Sequence, residues 1–341
     1  MAWLTGWTHR EKLTIQHANV DSALTDFPVC VKLSADADYS DALATGADIR
    51  FTDSDGETLL KHEMESWSGG GGSNVTADFW VKLPSISAVA GTDFYIYWEK
   101  AGAADGQDAA NVWDANFIGV WHFAGNANDS SGNGYHASLG GTTAYAAGRI
   151  GQCLSMVEGY IEPSIPKTSI GTIEMAFYLD NLSDWQQLYG VTSGGNDFEG
   201  WVRYYTPAGL LQTRNKESTH TCSANTWYQF AYKYDQVADS SYGNGSIWID
   251  GQDVTGANYS ANQFGSGNLF FGQDSAAHAE QFQGDMDEIR VSDIMRSDAW
   301  IKFTHYNIAE ADNELTWGGK ETVAAAGRKA PILGGGIGLG V

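Results

Sequence analysis

The sequence predicts an all-β protein made of two sandwich domains, and three observations lead to this prediction. Short runs in which apolar and polar residues alternate recur along the chain, as in strands with one face in a core. Glycine is abundant, with 41 residues, and proline is scarce, with 6, so tight turns are plentiful. The length of 341 residues fits two domains of roughly 150 residues each.

The strand pattern is clearest in residues 227–235, WYQFAYKYD. A period of two places Tyr228, Phe230, Tyr232 and Tyr234 on one face, which we expect to face the core. The other predicted strands lie at 12–17, 27–34, 48–53, 78–84, 93–99, 171–179, 246–251 and 269–274. Many strands at regular spacing predict sandwiches.

Helical patterns are few and short. They occur at 37–46 and at 296–309, where Ser297 is a candidate N-cap. A doubly wound α/β fold needs a helix after nearly every strand, so the sequence excludes that class.

Composition predicts where the domains begin and end. Small residues at 101–114 follow the last strand of the first half, which gives an N-terminal domain at 1–112 and a second domain at 113–318. The GGGGS run at 69–73 lies between two predicted strands, and we interpret it as a long hairpin loop. Residues 319–341 form a Gly-rich, apolar segment that is either a frayed terminus or a peg that docks on a partner.

The charge balance is strongly acidic, with 42 Asp and Glu against 19 Lys and Arg and a formal net charge of -23. Nucleic-acid binding needs clustered Lys and Arg, so we predict no nucleic-acid partner. No run approaches the ~20 apolar residues of a membrane span. The acidity reflects either solubility alone or an enrichment in calcium ligands.

The three cysteines, Cys30, Cys153 and Cys222, have neither disulfide-framework nor zinc spacing, and we predict that all three are buried thiols. Residues 1–17 lack the basic segment, apolar run and cleavage site of a secretory signal. We therefore expect the chain to stay in the cytosol unless it leaves by cell lysis, by a leaderless route or as part of a particle.

Four segments occur in an order and at spacings that resemble a LamG-type, concanavalin A-like jelly-roll domain. The most specific holds a Gly, a short gap, an Asp-Glu pair and an apolar-Arg-apolar run; in that family this pattern marks the strand that returns beside the first strand and closes the sheet. The segments are 119–137, 148–156, 246–254 and 282–301, the last of which carries the pattern.

The first half also resembles a known family. Residues 27–34, 48–67, 78–99 and 111–123 are similar to an uncharacterised β-domain family that commonly precedes LamG modules in bacterial surface proteins and tailed-phage structural proteins. The two resemblances together imply an N-terminal β-sandwich followed by a concanavalin A-like jelly roll, with a Gly-rich C-terminal segment.

The resemblance implies a calcium site. Concanavalin A-like domains often hold one calcium ion between their first loop and the Asp of the closing strand, which here matches Asp287. The loop at 126–137 offers the carboxylate of Asp129 and the amide of Asn133, and calcium prefers such mixed oxygen ligands. The predicted ligands are therefore Asp129, Asn133 and Asp287; the alternative is an Asx turn that only shapes the loop.

A glycoside hydrolase is the enzymatic alternative. Hydrolases on this sandwich place their two carboxylates as Glu-x-Asp-x-Glu, or one residue longer, on one strand, and retaining hydrolysis needs the pair about 5–5.5 Å apart. The nearest match is Asp285, Asp287 and Glu288, without a further carboxylate at the required position. We therefore predict that the chain is not an enzyme.

Candidate sugar-binding residues lie at 180–190 and 193–205. Pyranose faces stack on aromatic rings, and their hydroxyls pair with amides and carboxylates. Trp185 and Asp197 are flanked by turn residues, which favours surface loops, whereas Trp201 follows a strand pattern typical of core. The full candidate set is Trp185, Tyr189, Asn196, Asp197, Trp201 and Tyr205.

The family resemblance implies a virion protein of a tailed bacteriophage. We expect a tail-tip or fibre receptor-binding protein, a homotrimer, whose LamG-like domain binds a host-surface glycan or protein and whose C-terminal segment docks on other virion proteins. One alternative is a structural head-decoration or tail-assembly protein. Another is a bacterial surface lectin or glycoside hydrolase.

Overall fold

The structure is a computed structural model, and it describes residues 2–182, 186–191, 202–205, 210–213, 216–235, 237, 244–258, 267–273, 281–309 and 314–323. Strands dominate these residues, so the all-β prediction is confirmed. Within them, no helix is long and apolar enough to cross a membrane.

The strands are numbered along the chain. They are β1 (His9–Ile15), β2 (Leu24–Asp36), β3 (Arg50–Asp53), β4 (Leu59–Leu60), β5 (His62–Gly70), β6 (Ser73–Ile86), β7 (Thr92–Trp98), β8 (Phe117–Trp121), β9 (Ser138–Ala147), β10 (Gln152–Glu162), β11 (Ile170–Leu179), β12 (Gln186–Val191), β13 (Val202–Tyr205), β14 (Leu210–Gln212), β15 (Lys216–Thr221), β16 (Trp227–Asp235), β17 (Asn244–Ile249), β18 (Gln252–Asp253), β19 (Thr255–Asn258), β20 (Leu269–Phe271), β21 (Phe282–Ser292), β22 (Leu315–Trp317) and β23 (Glu321–Thr322). One α-helix, α1 (Asp298–Ala309), and a 3-10 turn at Ala109–Asn111 accompany them among the described residues.

The N-terminal unit is a sandwich of two antiparallel sheets. One sheet has the order β22-β1-β7-β3-β4, with β23 also paired to β1, and the other has the order β2-β6-β5. After the second unit the chain returns to the first of these sheets, where Trp317 pairs with Leu13 and Thr322 pairs with His9. The domain boundaries at 112 and 318 stay predictions, and the first residues beyond 318 lie on this chain's own first sheet.

The GGGGS run is a hairpin, as its position between two strands predicts, and it is tighter than a long loop. Gly70 pairs with Ser73, so only two residues turn the chain between β5 and β6. Those residues, Gly71 and Gly72, have φ of +59° and +101°, which is the left-handed backbone that a two-residue hairpin turn requires.

The second unit is a curled sheet in the order β18-β17-β16-β11-β21-β10-β20-β12-β13-β14-β15-β19. Strand β8, which opens this unit, pairs with β21, where Ile289 faces Trp121 and Arg290 faces Val120. The strand at 282–292 therefore returns beside the first strand of the unit, as the resemblance to concanavalin A-like domains implies.

Strand β16 spans the residues predicted from their alternation. Tyr228, Phe230, Tyr232 and Tyr234 lie in the core of the second unit, which confirms the predicted core face. The opposite face is buried as well, because Ala231 joins a core cluster that extends through the N-terminal unit. A period of two identifies one buried face, and packing between units buries the other.

The helix predicted at 296–309 is confirmed as α1. Ser297 accepts the backbone N–H of Trp300 at 3.1 Å and caps its first turn. The helix predicted at 37–46 is wrong: these residues form successive turns, in which the N–H of Ala42 donates to the carbonyl of Tyr39. The Tyr39 side chain is fully buried there, so its burial in the core prevails over local propensity.

The three cysteines are buried and form no disulfide bonds, as predicted. Burial raises the pKa of Cys153 and of Cys222 to about 12. Both thiols therefore stay protonated at neutral pH, and we expect them to be unreactive.

Glu11 is a buried carboxyl on β1 that gives the first testable prediction. Burial raises its pKa to about 7, although the Tyr39 hydroxyl donates to its Oε2 at 2.8 Å. A folded pKa above the unfolded value stabilises the fold at low pH and loses that contribution as pH rises through 7. Glu11→Gln should therefore leave the free energy of unfolding nearly unchanged at pH 5 and raise it by about 1–3 kcal/mol at pH 8.

Urea unfolding of wild type and Glu11→Gln at the two pH values measures this effect. The exposed Glu57→Gln serves as the control and should change neither value. An equal effect of Glu11→Gln at both pH values would contradict the prediction.

Candidate functional site

The structure describes two of the six candidate sugar-binding residues. Tyr189, on β12, is fully buried, and its ring lies 6.3 Å from that of Tyr232 within the core of the second unit. Tyr205 is the last residue of β13. Trp185, Asn196, Asp197 and Trp201 lie outside the described residues.

The carboxylate of Asp129 organises the loop that follows β8. Its Oδ1 accepts the backbone N–H of Val120 and of Ser131 at 3.0 and 2.9 Å, and its Oδ2 accepts the N–H of Tyr135 at 3.0 Å. Asn133 donates from Nδ2 to the carbonyl of Phe117 at 2.9 Å. These bonds are those of an Asx-type loop anchor.

Asp287 plays a similar role on the closing strand. It is fully buried, and its Oδ2 accepts the backbone N–H of Arg149 and of Ile150 at 2.8 and 3.0 Å. Its Oδ1 accepts the N–H of Glu288 at 2.9 Å. Asp129 and Asp287 therefore each hold backbone amides, and calcium binding by them stays a prediction.

A different group of charged side chains lies where the two units meet. We call it the seam cluster, and it consists of Glu63, Glu65, His122, Glu288 and Arg290. Glu63 and Glu65 are two residues apart on β5, whose pairing with β6 shifts register at Glu65. His122 directly follows β8, and Glu288 and Arg290 lie on β21. The N-terminal unit thus supplies two carboxylates, and the second unit supplies the rest.

A β-bulge aims Glu288 into the seam cluster. The pairing of β11 with β21 shifts register between Glu174 and Ala176, which leaves an extra residue on β21. Glu288 has φ of +50°, a left-handed conformation that non-glycine residues seldom adopt. Bulges of this kind redirect side chains and are frequent next to functional sites.

His122 is the centre of the seam cluster. Its Nδ1 lies 2.7 Å from Oε1 of Glu288 and 3.6 Å from Oε2 of Glu65. Its Nε2 lies 3.4 Å from Oε2 of Glu63, an ion-pair distance without hydrogen-bond geometry. Burial acts to lower the pKa of His122, but the carboxylates of Glu288 and Glu63 raise it well above its usual value.

The pKa values of the carboxylates in the seam cluster are shifted in opposite directions. Burial acts to raise the pKa of Glu288, but His122 and Arg290 lower it to about 2. Burial also acts to raise the pKa of Glu63, but the neighbouring His122 holds it below the usual range. Glu65 differs: burial and the nearby charge of Glu288 raise its pKa well above the usual value.

Two tryptophans wall the seam cluster. The Arg290 guanidinium lies 4.3 Å from the ring centre of Trp80 and donates to Oε2 of Glu288 at 2.8 Å. Trp80 donates from Nε1 to Oε2 of Glu65 at 2.8 Å, and Trp113 donates from Nε1 to Oε2 of Glu63 at 3.0 Å. The aromatic rings provide a surrounding of low dielectric constant, which strengthens the charge interactions beside them.

Two cavities border the seam cluster, and Glu65 lines both. A small pocket of about 130 Å³ lies against Glu63, Glu65 and His122 and reaches the exposed Asn126 and Asn128. A larger cleft of about 560 Å³ runs between the units, with Lys32, Asp78 and Arg149 among its lining residues. The loop after β8 therefore forms the rim of a polar pocket at the seam.

Sequence reasoning missed Glu63, Glu65 and His122. The available signal was the spacing of the two glutamates, since residues i and i+2 share one strand face. Their meeting with His122 and Glu288 depends on how the two units pack, and the sequence has no local pattern for that.

Comparison with known families matches two parts of the chain. Residues 45–131 match a domain of unknown function, DUF2341, and residues 159–302 match the concanavalin A-like lectin/glucanases superfamily. The suspected order, an uncharacterised β-domain ahead of a LamG-type domain, is therefore confirmed. Comparison with curated proteins gave no significant match.

Three solved structures are similar to this chain. Domain 4 of AbnA, a GH43 extracellular arabinanase from Geobacillus stearothermophilus solved with arabinotriose, is 18% identical, with a TM-score of 0.44, over 55% of this chain and 97% of that one. Trypanosoma rangeli sialidase is 13% identical, with a TM-score of 0.43, over 61% of this chain and 34% of that one. The binding domain of Paraclostridial Mosquitocidal Protein 1 is 14% identical, with a TM-score of 0.42, over 56% of this chain and 52% of that one.

Proposed function

We propose that this chain, in which a DUF2341 domain precedes a concanavalin A-like domain, is a non-enzymatic glycan-binding protein of a tailed-phage particle. In this proposal it acts at the tail tip or fibre as a receptor-binding protein. The concanavalin A-like domain binds a glycan or a glycosylated protein on the host surface.

The structural role of the closing-strand carboxylates carries the non-enzymatic part of the proposal. Asp287 accepts three backbone N–H groups, and Glu288 is bound to His122 and Arg290. A glycosidase needs one carboxyl to donate a proton to the leaving group and another to act as nucleophile or base. Two carboxylates held by backbone amides and cations are poorly disposed for either step, whereas they suit a rigid binding scaffold.

The ligand site of the proposal lies beside strands β12 and β13. These strands pair with each other, with Gln187 opposite Arg203, and belong to the curled sheet. Trp185 directly precedes β12, and Asn196 and Asp197 lie in the segment that connects the two strands. A sugar requires an aromatic ring together with amide and carboxylate groups, and the residues that flank and connect these two strands include all three types.

The setting of the proposal comes from the family order. DUF2341-like and LamG-like domains in sequence are typical of phage structural and bacterial surface proteins, and we propose a homotrimer in a virion whose segment 319–341 docks on neighbouring virion proteins. The start of that segment already docks within this chain, because Glu321 pairs with Arg10 at 2.7 Å.

A structural head-decoration or tail-assembly role is the second candidate. The observation that favours it is a core cluster that continues from the N-terminal sandwich to Trp248 of β17 and Trp300 of α1. Such continuity gives a rigid block suited to cementing neighbouring subunits.

A glycan array probed with the purified full chain, followed by a reducing-sugar assay on the bound glycans, tests the proposal. We expect selective binding and no release of reducing sugar. Sugar release that is lost in Asp285→Asn would contradict the non-enzymatic proposal and favour a hydrolase. A chain that decorates particles yet binds no glycan and no host cell would favour the structural candidate.

A further inference from the structure

Among the described residues, two groups of side chains could hold a metal ion. One consists of Glu65, His122 and Glu288 in the seam cluster, and the other of His9, Asp41 and Glu99. In the second group Asp41 is exposed and already lies 3.2 Å from the ammonium of Lys320. In the first group all three side chains are buried, and the Arg290 guanidinium occupies only the second oxygen of Glu288.

We propose that Glu65, His122 and Glu288 form a binding site for a zinc-class divalent cation, held by Nδ1 of His122 and one oxygen of each carboxylate. This site is distinct from the calcium ligands predicted at Asp129, Asn133 and Asp287. It is also independent of glycan binding by the second unit.

The distances suit a cation of this class. The three ligand atoms all lie within 4.8 Å of one another, and Nδ1 lies 2.7 Å from Glu288 and 3.6 Å from Glu65. Zinc bonds to nitrogen and oxygen are about 2.0–2.2 Å long, so tetrahedral ligand atoms lie about 3.3 Å apart. The two distances from Nδ1 of His122 lie on either side of this value, each within about 0.6 Å of it.

Two atoms of the cluster lack a hydrogen-bond partner, and the one on Glu65 is the independent sign of a ligand. Oε1 of Glu65 is buried and unpartnered, and the side chain as a whole is 1% exposed. Nε2 of His122 is also buried without a hydrogen bond. Nε2 faces Glu63 and is not the proposed donor atom, so the unsatisfied oxygen of Glu65, a residue that lines the 130 Å³ pocket, is the group that a cation would engage.

Neighbouring residues orient the three ligands as in known metal sites. Glu63 faces the second nitrogen of His122, an arrangement that fixes the ring and raises its basicity as a ligand. Arg290 holds the second oxygen of Glu288, and Trp80 holds Oε2 of Glu65. Each proposed ligand thus has a neighbour that fixes the position of its side chain, and in Glu65 the oxygen that Trp80 holds is also the one 3.6 Å from Nδ1 of His122.

The choice of cation follows from the ligand types. An imidazole with two carboxylates suits zinc and its first-row neighbours, whereas calcium and magnesium prefer all-oxygen sets. Three protein ligands leave a fourth coordination position open, and the pocket that Glu65 and His122 line reaches the exposed Asn126 and Asn128. That pocket also provides the route by which a cation would reach the site.

Calorimetric titration of the untagged full chain, stripped with EDTA, with zinc chloride and in parallel with magnesium chloride tests the proposal. We expect one equivalent of zinc per chain, little response to magnesium, and zinc binding weakened at least tenfold in Glu65→Gln. The matched control is Glu99→Gln in the other His-carboxylate group, which should leave zinc binding unchanged. No zinc binding, or equal affinity in wild type and Glu65→Gln, would overturn the proposal.

A second measurement uses only the wild-type protein and therefore does not depend on the folding of Glu65→Gln. Anomalous diffraction at the zinc edge from wild-type crystals grown with equimolar zinc should show a peak between His122 and Glu288. A peak at His9 and Asp41 instead, or no ordered zinc, would overturn the proposal whatever the variants do.

Discussion

Glu288→Gln should destabilise the protein by roughly 3–5 kcal/mol, because removing one partner of a buried ion pair leaves the others uncompensated. Glu288 is fully buried and neutralises both His122, 2.7 Å from its Oε1, and Arg290, 2.8 Å from its Oε2. Glutamine keeps the size and one acceptor but removes the charge. The two buried cations would then have lost the carboxylate that contacts both of them.

Urea unfolding at pH 7.5 with EDTA present measures this loss without any contribution from bound metal. The control is Glu158→Gln on β10, an exposed carboxylate that should change the free energy of unfolding by less than about 0.5 kcal/mol. A Glu288→Gln protein as stable as the control would show that the seam cluster does not hold the units together.

Asp114→Ala should lower the free energy of unfolding by a similar amount, about 3–5 kcal/mol. Asp114 accepts hydrogen bonds from Nη1 and Nη2 of Arg296, at 2.6 and 2.8 Å. The same guanidinium lies between Phe117 and Trp300, 4.2 and 4.3 Å from their ring centres. The paired guanidinium lowers the pKa of Asp114 against the effect of burial. Without the carboxylate, the Arg296 guanidinium remains buried between the two aromatic rings and has lost its paired charge.

The double variant Asp114→Ala with Arg296→Met is the matched control for this second prediction. Replacing a whole buried ion pair with apolar groups is often close to neutral, so the double variant should be more stable than Asp114→Ala alone. Equal destabilisation of the single and double variants would mean that lost packing, not an unpaired charge, explains the effect.

Local pattern was sufficient where a segment packs on one face. The alternation in 227–235 predicts β16 to the residue, and Ser297 marks the start of α1. The same approach fails at 37–46, where helix-like spacing gives turns because Tyr39 is drawn into the core and donates to Glu11. Short helices have too little intrinsic stability to resist such tertiary contacts.

The candidate site was less accessible from the sequence than the fold. The loop at 126–137 drew attention as a calcium loop, and its Asp129 does organise the backbone there. The residues that converge on the neighbouring pocket come from β5, from the end of β8 and from a bulge on β21. Only the packing of one unit against the other brings Glu63 and Glu65 to His122, and no spacing within the chain encodes that packing.

The dissociation constant of the full chain for its best array glycan, compared between wild type and Trp185→Ala, tests the central claim of glycan binding most directly. We expect the variant to bind at least tenfold more weakly because it loses the ring on which the sugar stacks. A tenfold loss of affinity corresponds to about 1.4 kcal/mol of binding free energy. Tyr145→Ala, which removes an exposed ring on β9, should bind like wild type. Equal dissociation constants for all three proteins would contradict the proposed site, and no measurable glycan binding by wild type would contradict the proposed function.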